Sequence, residues 1–133
     1  MNRQVSVLIV DDEWLIRDCI SAFLEDEGCT VSTAVSAEGA LLRLGDIAPT
    51  VCITDMRLPG MNGEAFILSA HEICPSTHFL IHTGADYILA DELLAIGMTS
   101  SDVLLKPVHD LSLITSWIRG VITDRSSGNA RID

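Results

Sequence analysis

The sequence predicts an α/β protein: an open, doubly wound parallel sheet with helices on both faces. Three observations carry that expectation. Five short apolar runs alternate with five segments of helical periodicity along 133 residues. The first and third runs, VSVLIV and VCIT, are apolar almost throughout, as strands covered on both faces must be. The length is that of one domain with a sizeable core, and right-handed crossovers leave a doubly wound sheet as the main candidate.

Each element has its own signal. Val5–Val10 reads as the first strand. Leu15, Ile16, Cys19, Ile20, Phe23 and Leu24 recur on one helical face, and Gly28 ends that helix. Thr30–Ala34 is the second strand, and Ser36 caps a helix carrying Leu41, Leu42 and Leu44. Val51–Thr54 is the third strand and ends at Asp55. The turn-rich stretch RLPGMNG then leads into a helix with Ala65, Phe66, Ala70 and Ile73. Phe79–His82 is the fourth strand, followed by Thr83–Gly84 and a helix through Leu89, Leu93, Leu94 and Ile96. Val103–Leu105 is the fifth. Leu111, Ile114, Ile118, Val121 and Ile122 form the stripe of a last helix. Beyond Thr123 the run DRSSGNARID has no stripe. Residues 1–123 are therefore expected to be the folded domain, and 124–133 a flexible tail or the start of a linker.

Composition narrows the function. No run approaches ~18 uninterrupted apolar residues, so no membrane span is expected. The N-terminus lacks a secretory pattern, which points to the cytoplasm. A net charge of −11 repels phosphate backbones, which argues against direct nucleic-acid binding, and attracts divalent cations and basic partner surfaces. Cys19, Cys29, Cys52 and Cys74 form no CxxC pair; they read as reduced, buried thiols rather than as a zinc site or disulfide framework.

In open α/β sheets, ligands bind beyond the carboxyl ends of the strands. Asp11 and Asp12 follow the first strand, Asp55 the third, Thr83 the fourth and Lys106 the fifth. Each alone is an ordinary loop residue or helix cap. Together they converge on one edge. Two like charges ~4 Å apart cost ~1 kcal/mol in water and ~4 kcal/mol at an effective dielectric near 20. Lys106 offsets one charge only, so hard oxygen ligands of this kind suit Mg²⁺, with Mn²⁺ as the alternative. The absence of His and Cys from the set disfavours zinc. The combination suits phosphoryl transfer: Asp55 as nucleophile, the cation and Lys106 neutralising phosphoryl oxygens, and Thr83 donating a hydrogen bond. His71, His78, His82 and His109 are expected at ordinary surface or strand-end positions away from the acids, and Met56 and Met61 to pack beside Asp55.

VLIVDDE, ITDMRLPGMNG, the Thr83–Gly84 pair and VLLKPV together resemble the receiver domain of bacterial two-component response regulators, over residues 5 to about 122. The resemblance implies a flavodoxin-like five-stranded sheet in the order 2-1-3-4-5 with five helices. It makes Asp55 the phospho-acceptor, with Thr83 and Lys106 holding the phosphoryl group. Asp12 would bind Mg²⁺ directly, Asp11 through water, Asp55 by its carboxylate and Arg57 by its backbone carbonyl. Lys106–Pro107 would be a cis peptide. Phosphodonors would be a histidine kinase, a phosphotransfer protein or a small acyl phosphate. Output would pass to an effector protein, or through self-association, on the face made by the fourth helix, fifth strand and fifth helix. Such a chain is not a metabolic enzyme but a switch that assists its own phosphorylation and dephosphorylation.

One position departs from the pattern. Three residues before the strand-five lysine such domains commonly carry Tyr or Phe, and here the residue is Val103. Valine has no ring to reorient. Tyr87, the only tyrosine, is expected to take over part of that role through the loop from Gly84 to Tyr87, while Trp14 and Arg57 flank the pocket. Three rivals remain. A haloacid-dehalogenase-type phosphatase wants a second Asp where Arg57 stands. A flavodoxin needs a phosphate loop where Asp11, Asp12 and Glu13 would repel the cofactor. A degenerate receiver, acting as a phosphorylation-independent docking module, is favoured only by Val103.

Overall fold

A computed structural model of the chain describes residues 5–84 and 87–127. Five parallel strands, β1 (Ser6–Val10), β2 (Thr30–Ala34), β3 (Val51–Thr54), β4 (His78–Thr83) and β5 (Val103–Leu105), form one sheet. Their order is β2-β1-β3-β4-β5, as expected. Five helices connect and cover them: α1 (Trp14–Asp26), α2 (Ala37–Ile47), α3 (Gly63–Ile73), α4 (Asp91–Ala95) and α5 (Ser112–Ser127). The fold is the doubly wound, flavodoxin-like sheet.

Strand alternation divides the core in two. Leu8, Val10, Cys52 and Ile81 point to one face, where they meet Ala40 and Leu44 of α2, Phe66, Ile67 and Ala70 of α3, and Leu93 of α4. Val7, Ile9, Val51, Ile53 and Leu80 point to the other and meet Ile20 and Leu24 of α1 and Ile114 and Ile118 of α5. Helix starts follow local chemistry. The Ser36 hydroxyl accepts the Gly39 N–H at 3.1 Å, and the Asn62 side-chain oxygen accepts the Ala65 N–H at 2.9 Å. Gly28, with φ at 94°, lets the chain leave α1 in the left-handed region.

Several expectations need correction. The fourth helix is only Asp91–Ala95. Leu89 is buried from the preceding loop, extended backbone at Ala90 delays the helix start, and Gly97 at φ 100° closes it. Leu42 is 85% exposed because α2 faces the sheet with Ala37, Ala40 and Leu44, which places Leu42 on the opposite side. Ala65 and Ile73 are exposed on α3, where Ile67 is buried instead. On α1 only Ile20 and Leu24 are fully covered, and Leu15 and Cys19 are exposed. Both border an open recess between α1 and the segment after β5. None of the four cysteines forms a disulfide, but the buried-thiol expectation fails for Cys19, and Cys74 is only half-buried. Helix α5 continues through Ser127, four residues past the expected end of the folded domain at Thr123. Residues 128–133 lie outside the described residues, as do Ala85 and Asp86 of the Gly84–Tyr87 loop.

Candidate functional site

The sheet builds the site by continuing its own alternation. Asp11, Asp55, His82 and Lys106 stand two residues beyond Ile9, Ile53, Leu80 and Leu104, so all four fall on the face covered by α1 and α5. Parallel ladder bonds persist past the strand ends: Asp11 N–H to the Ala34 carbonyl (3.2 Å), Asp55 N–H to the Val10 carbonyl (3.0 Å), and Lys106 N–H to the Thr83 carbonyl (2.7 Å). Strand ends held by ladder bonds therefore position Asp11, Asp55 and Lys106.

Lys106 is the hub. Its Nζ donates to Asp11 Oδ2 at 2.9 Å, to Asp55 Oδ2 at 3.0 Å and to Glu13 Oε1 at 3.0 Å, which uses all three ammonium protons. The remaining carboxylate oxygens of the buried pair are held by backbone. Asp11 Oδ1 accepts the Glu13 N–H at 2.9 Å, and Asp55 Oδ1 accepts the Arg57 N–H at 3.2 Å. Arg17 of α1 reaches the Asp11 carbonyl at 2.7 Å and pins that turn. Asp11 and Asp55 are buried, whereas Asp12 and Glu13 are open to solvent. Thr83 is buried and joined to Lys106 through the backbone. The Lys106–Pro107 peptide is cis.

Charge is unbalanced. Carboxylate oxygens of Asp11, Asp12, Glu13 and Asp55 lie within 4.8 Å of one another, facing a single ammonium. Burial pushes the Asp11 carboxyl above its usual range, against the pull of the Glu13 N–H and Lys106. Burial alone would lower the Lys106 ammonium. Its hydrogen bonds to Asp11, Asp55 and Glu13 outweigh that and hold it above the ordinary lysine value. A further cation relieves the remaining repulsion, and a donor set of carboxylate oxygens alone, opening to solvent through Asp12, fits hard Mg²⁺. The opening is a recess of about 390 Å³ lined by Asp12, Glu13, Asp55, Arg57, Gly84 and Lys106. Trp14, the first residue of α1 and 65% exposed, is not part of its lining.

Gly63 closes the loop after Asp55. A Cβ there would stand 2.6 Å from the Asp55 carbonyl oxygen and 2.8 Å from Met56 Cα, so α3 begins pressed against the backbone of Asp55. Gly63→Ala is expected to destabilise the fold by about 1–3 kcal/mol, as overpacking against backbone does. Urea denaturation measures the loss.

The fold and the site coincide with one known family. The response regulator receiver domain matches residues 7–118. This chain belongs to that family. The receiver is 30% identical over 112 residues to the regulator of RpoS from Escherichia coli (strain K12), covering 84% of this chain but 33% of that one. The chain thus spans about a third of the length of such regulators. A 14.6 kDa protein from Leptolyngbya boryana is 32% identical over 116 residues, 84% of this chain and 86% of that one. The crystal structure of a CheY-like receiver domain protein from Methanospirillum hungatei JF-1 superposes with a TM-score of 0.81 at 25% identity, covering 93% and 98% of the two chains. Receiver domains take a phosphoryl group on aspartate, bind Mg²⁺ in an acidic pocket, and interact with histidine kinases and effectors.

Two features of this receiver were not read from the sequence. Glu13 joins Asp11 and Asp55 on Lys106, which adjacency to Asp12 alone does not reveal. His82 is not a surface histidine: it is 4% exposed and occupies the next register position beside Asp55. Burial, with Lys106 nearby, lowers its pKa to about 4. Counting in twos from Leu80 would have placed it on the acidic face. Met56 and Met61 do pack against the core beside Asp55.

Proposed function

We propose that this receiver is a phosphorylation-controlled switch with Asp55 as its acceptor. One observation carries the reading: Lys106, just past β5, stands 3.0 Å from Asp55, just past β3, inside a carboxylate cluster with spare negative charge. An Asp55 oxygen attacks phosphorus, forming the Oδ–P bond as the bond from phosphorus to the donor's nitrogen or acyl oxygen breaks. The donor leaves as free imidazole or carboxylate. Lys106 and the Thr83 hydroxyl hold the phosphoryl oxygens. Asp12, Asp55 and the Arg57 carbonyl would ligate Mg²⁺, and Asp11 would act through water. The bound ion supplies charge neutralisation on the transferring group. Hydrolysis cleaves the acyl phosphate: water adds to phosphorus, the P–Oδ bond breaks with the Asp55 carboxylate as leaving group, and inorganic phosphate departs.

Incubation with acetyl phosphate and Mg²⁺ is expected to add one phosphoryl group by mass, and Asp55→Asn to abolish the gain. An unmodified parent chain would instead support the docking-module reading, which Val103 favours. The donor in the cell is proposed to be a histidine kinase or phosphotransfer protein, and the compartment the cytoplasm. Among the described residues no helix is long and apolar enough to cross a membrane. Residues 1–123 are the proposed receiver unit.

The proposed output face is α4, β5 and α5. Ile88 (91%), Leu94 (50%) and Leu105 (50%) are exposed there, bordering a groove that Tyr87 and Val103 also line. Tyr87 fastens the loop after β4 to α3, its hydroxyl donating to Glu64 Oε2 at 2.5 Å. Burial, reinforced by that carboxylate, raises the phenol to about 12. Without a ring at position 103, this bond is the proposed tie between the acceptor edge and the output face. Tyr87→Phe is expected to cost about 1 kcal/mol of stability in urea and to weaken the dependence of partner binding on phosphorylation. Unchanged dependence in both Tyr87→Phe and Tyr87→Ala refutes the tie.

A further inference from the structure

Beside the acceptor site, between α1 and the segment after β5, lies a second recess of about 410 Å³. Leu15, Ile16, Cys19, Val108 and Leu111 make its walls apolar, and Glu13 and Lys106 stand at its rim. His82 borders it from the end of β4. That imidazole is 4% exposed, and among the described residues neither ring nitrogen has a hydrogen-bond partner. A buried polar group left unpaired carries its full desolvation penalty, whereas leucine would fill much the same volume without it. None of the contacts holding Asp11, Asp55 and Lys106 uses the ring. The chain therefore keeps an imidazole where its own packing favours a hydrocarbon.

The chemistry of an occupant follows from these groups. So deeply buried, with no carboxylate bonded to it, the ring is neutral, offering one N–H and one lone pair. A hydroxyl, which both donates and accepts, matches either. His82 lines the recess while its ring nitrogens are hidden from solvent. A half-turn about Cβ–Cγ exchanges nitrogen and carbon positions, bringing a nitrogen to the wall without backbone movement. Glu13 disfavours an anion at the rim and Lys106 a cation. The volume lies within the ~300–1,000 Å³ range of small-molecule sites. We propose that this recess binds a small neutral molecule with an apolar body and one hydroxyl, hydrogen-bonded to His82. Because Lys106 borders both recesses, such a ligand lies against the ammonium that holds Asp55.

The test uses the full chain, needs no phosphorylation, and is independent of the acceptor reading. Long-range ¹H–¹⁵N spectra follow the His82 ring, and backbone amide spectra the recess walls in every variant, during titration with 1-indanol, with indane as the hydroxyl-free control. A saturable shift of the ring nitrogens is expected, with indanol bound about tenfold tighter than indane, the weight of one hydrogen bond. Cys19→Trp, which fills the mouth, should abolish both. His82→Leu should remove the preference for the alcohol and leave indane binding intact. No saturable shift, equal affinities, or an undiminished preference in His82→Leu overturns the proposal and leaves His82 a core imidazole met only by water.

Discussion

Lys106→Met is expected to destabilise the metal-free fold by about 3–5 kcal/mol at neutral pH, the loss seen when one partner of a buried ion pair is removed. The ammonium side chain is 12% exposed and its partners Asp11 and Asp55 are 3% and 9% exposed, so water replaces little of the lost contact. Glu13, 58% exposed, contributes little to the effect. Without Lys106 the four carboxylates face one another uncompensated, and folding lifts their affinity for protons. The deficit should therefore shrink as the pH falls and the acids protonate, and shrink when Mg²⁺ is added. Adding Asp55→Asn to Lys106→Met should cost less than the sum of the two single changes, because the second substitution removes charge that the first left unpaired. Urea denaturation of the four proteins from pH 7 to pH 5 measures each of these. A deficit independent of pH and Mg²⁺ would mean that Lys106 acts by packing alone.

Acidification is expected to weaken the fold through His82. The unfolded chain takes up this proton near the ordinary value of 6.5, while the folded chain resists until about 4. Between those values the unfolded state binds more protons, so stability falls as the pH falls, by about 3 kcal/mol across the window. Below about 4 both states are protonated and the loss levels off. Lys106 opposes protonation of the ring, whereas Asp55 and Glu13 favour it but do not overcome burial. Asp11, whose carboxyl is raised by burial, works in the opposite sense and offsets part of the decline. His82→Leu should be about 1–3 kcal/mol more stable than the parent at pH 7, since it removes unpaired buried nitrogens, and the gap should widen toward pH 4. Parallel stability curves for the two proteins would show that the His82 ring takes up its proton alike in the folded and unfolded chain.

Much of this was legible because two signals are local. The apolar runs around Ile9, Ile53 and Leu80 announce strands whatever surrounds them. The residues after them, Asp11, Asp12, Asp55, Thr83 and Lys106, needed only the rule that α/β sheets bind ligands at their carboxyl edge. Helix periodicity identified the right stripe on α1 but overstated how much of it is buried. Burial depends on what lies opposite, and an open recess rather than a packed neighbour lies against Leu15 and Cys19. Likewise Leu89 looked helical by spacing, yet it enters the core from a loop, because burial of one leucine is indifferent to the backbone that delivers it.

The amino-acid order alone determined the strand sequence, the parallel architecture and the set of residues on the reactive edge, since each follows from periodicity and from where a run stops. Only the tertiary structure decided which of those residues touch. That Lys106 binds Glu13 as well as Asp11 and Asp55, that Tyr87 reaches Glu64, and that His82 lies unpaired beside Asp55 all depend on register between strands and on the seating of helices. Those are set by the packing of both faces at once, through contacts between residues far apart in the chain.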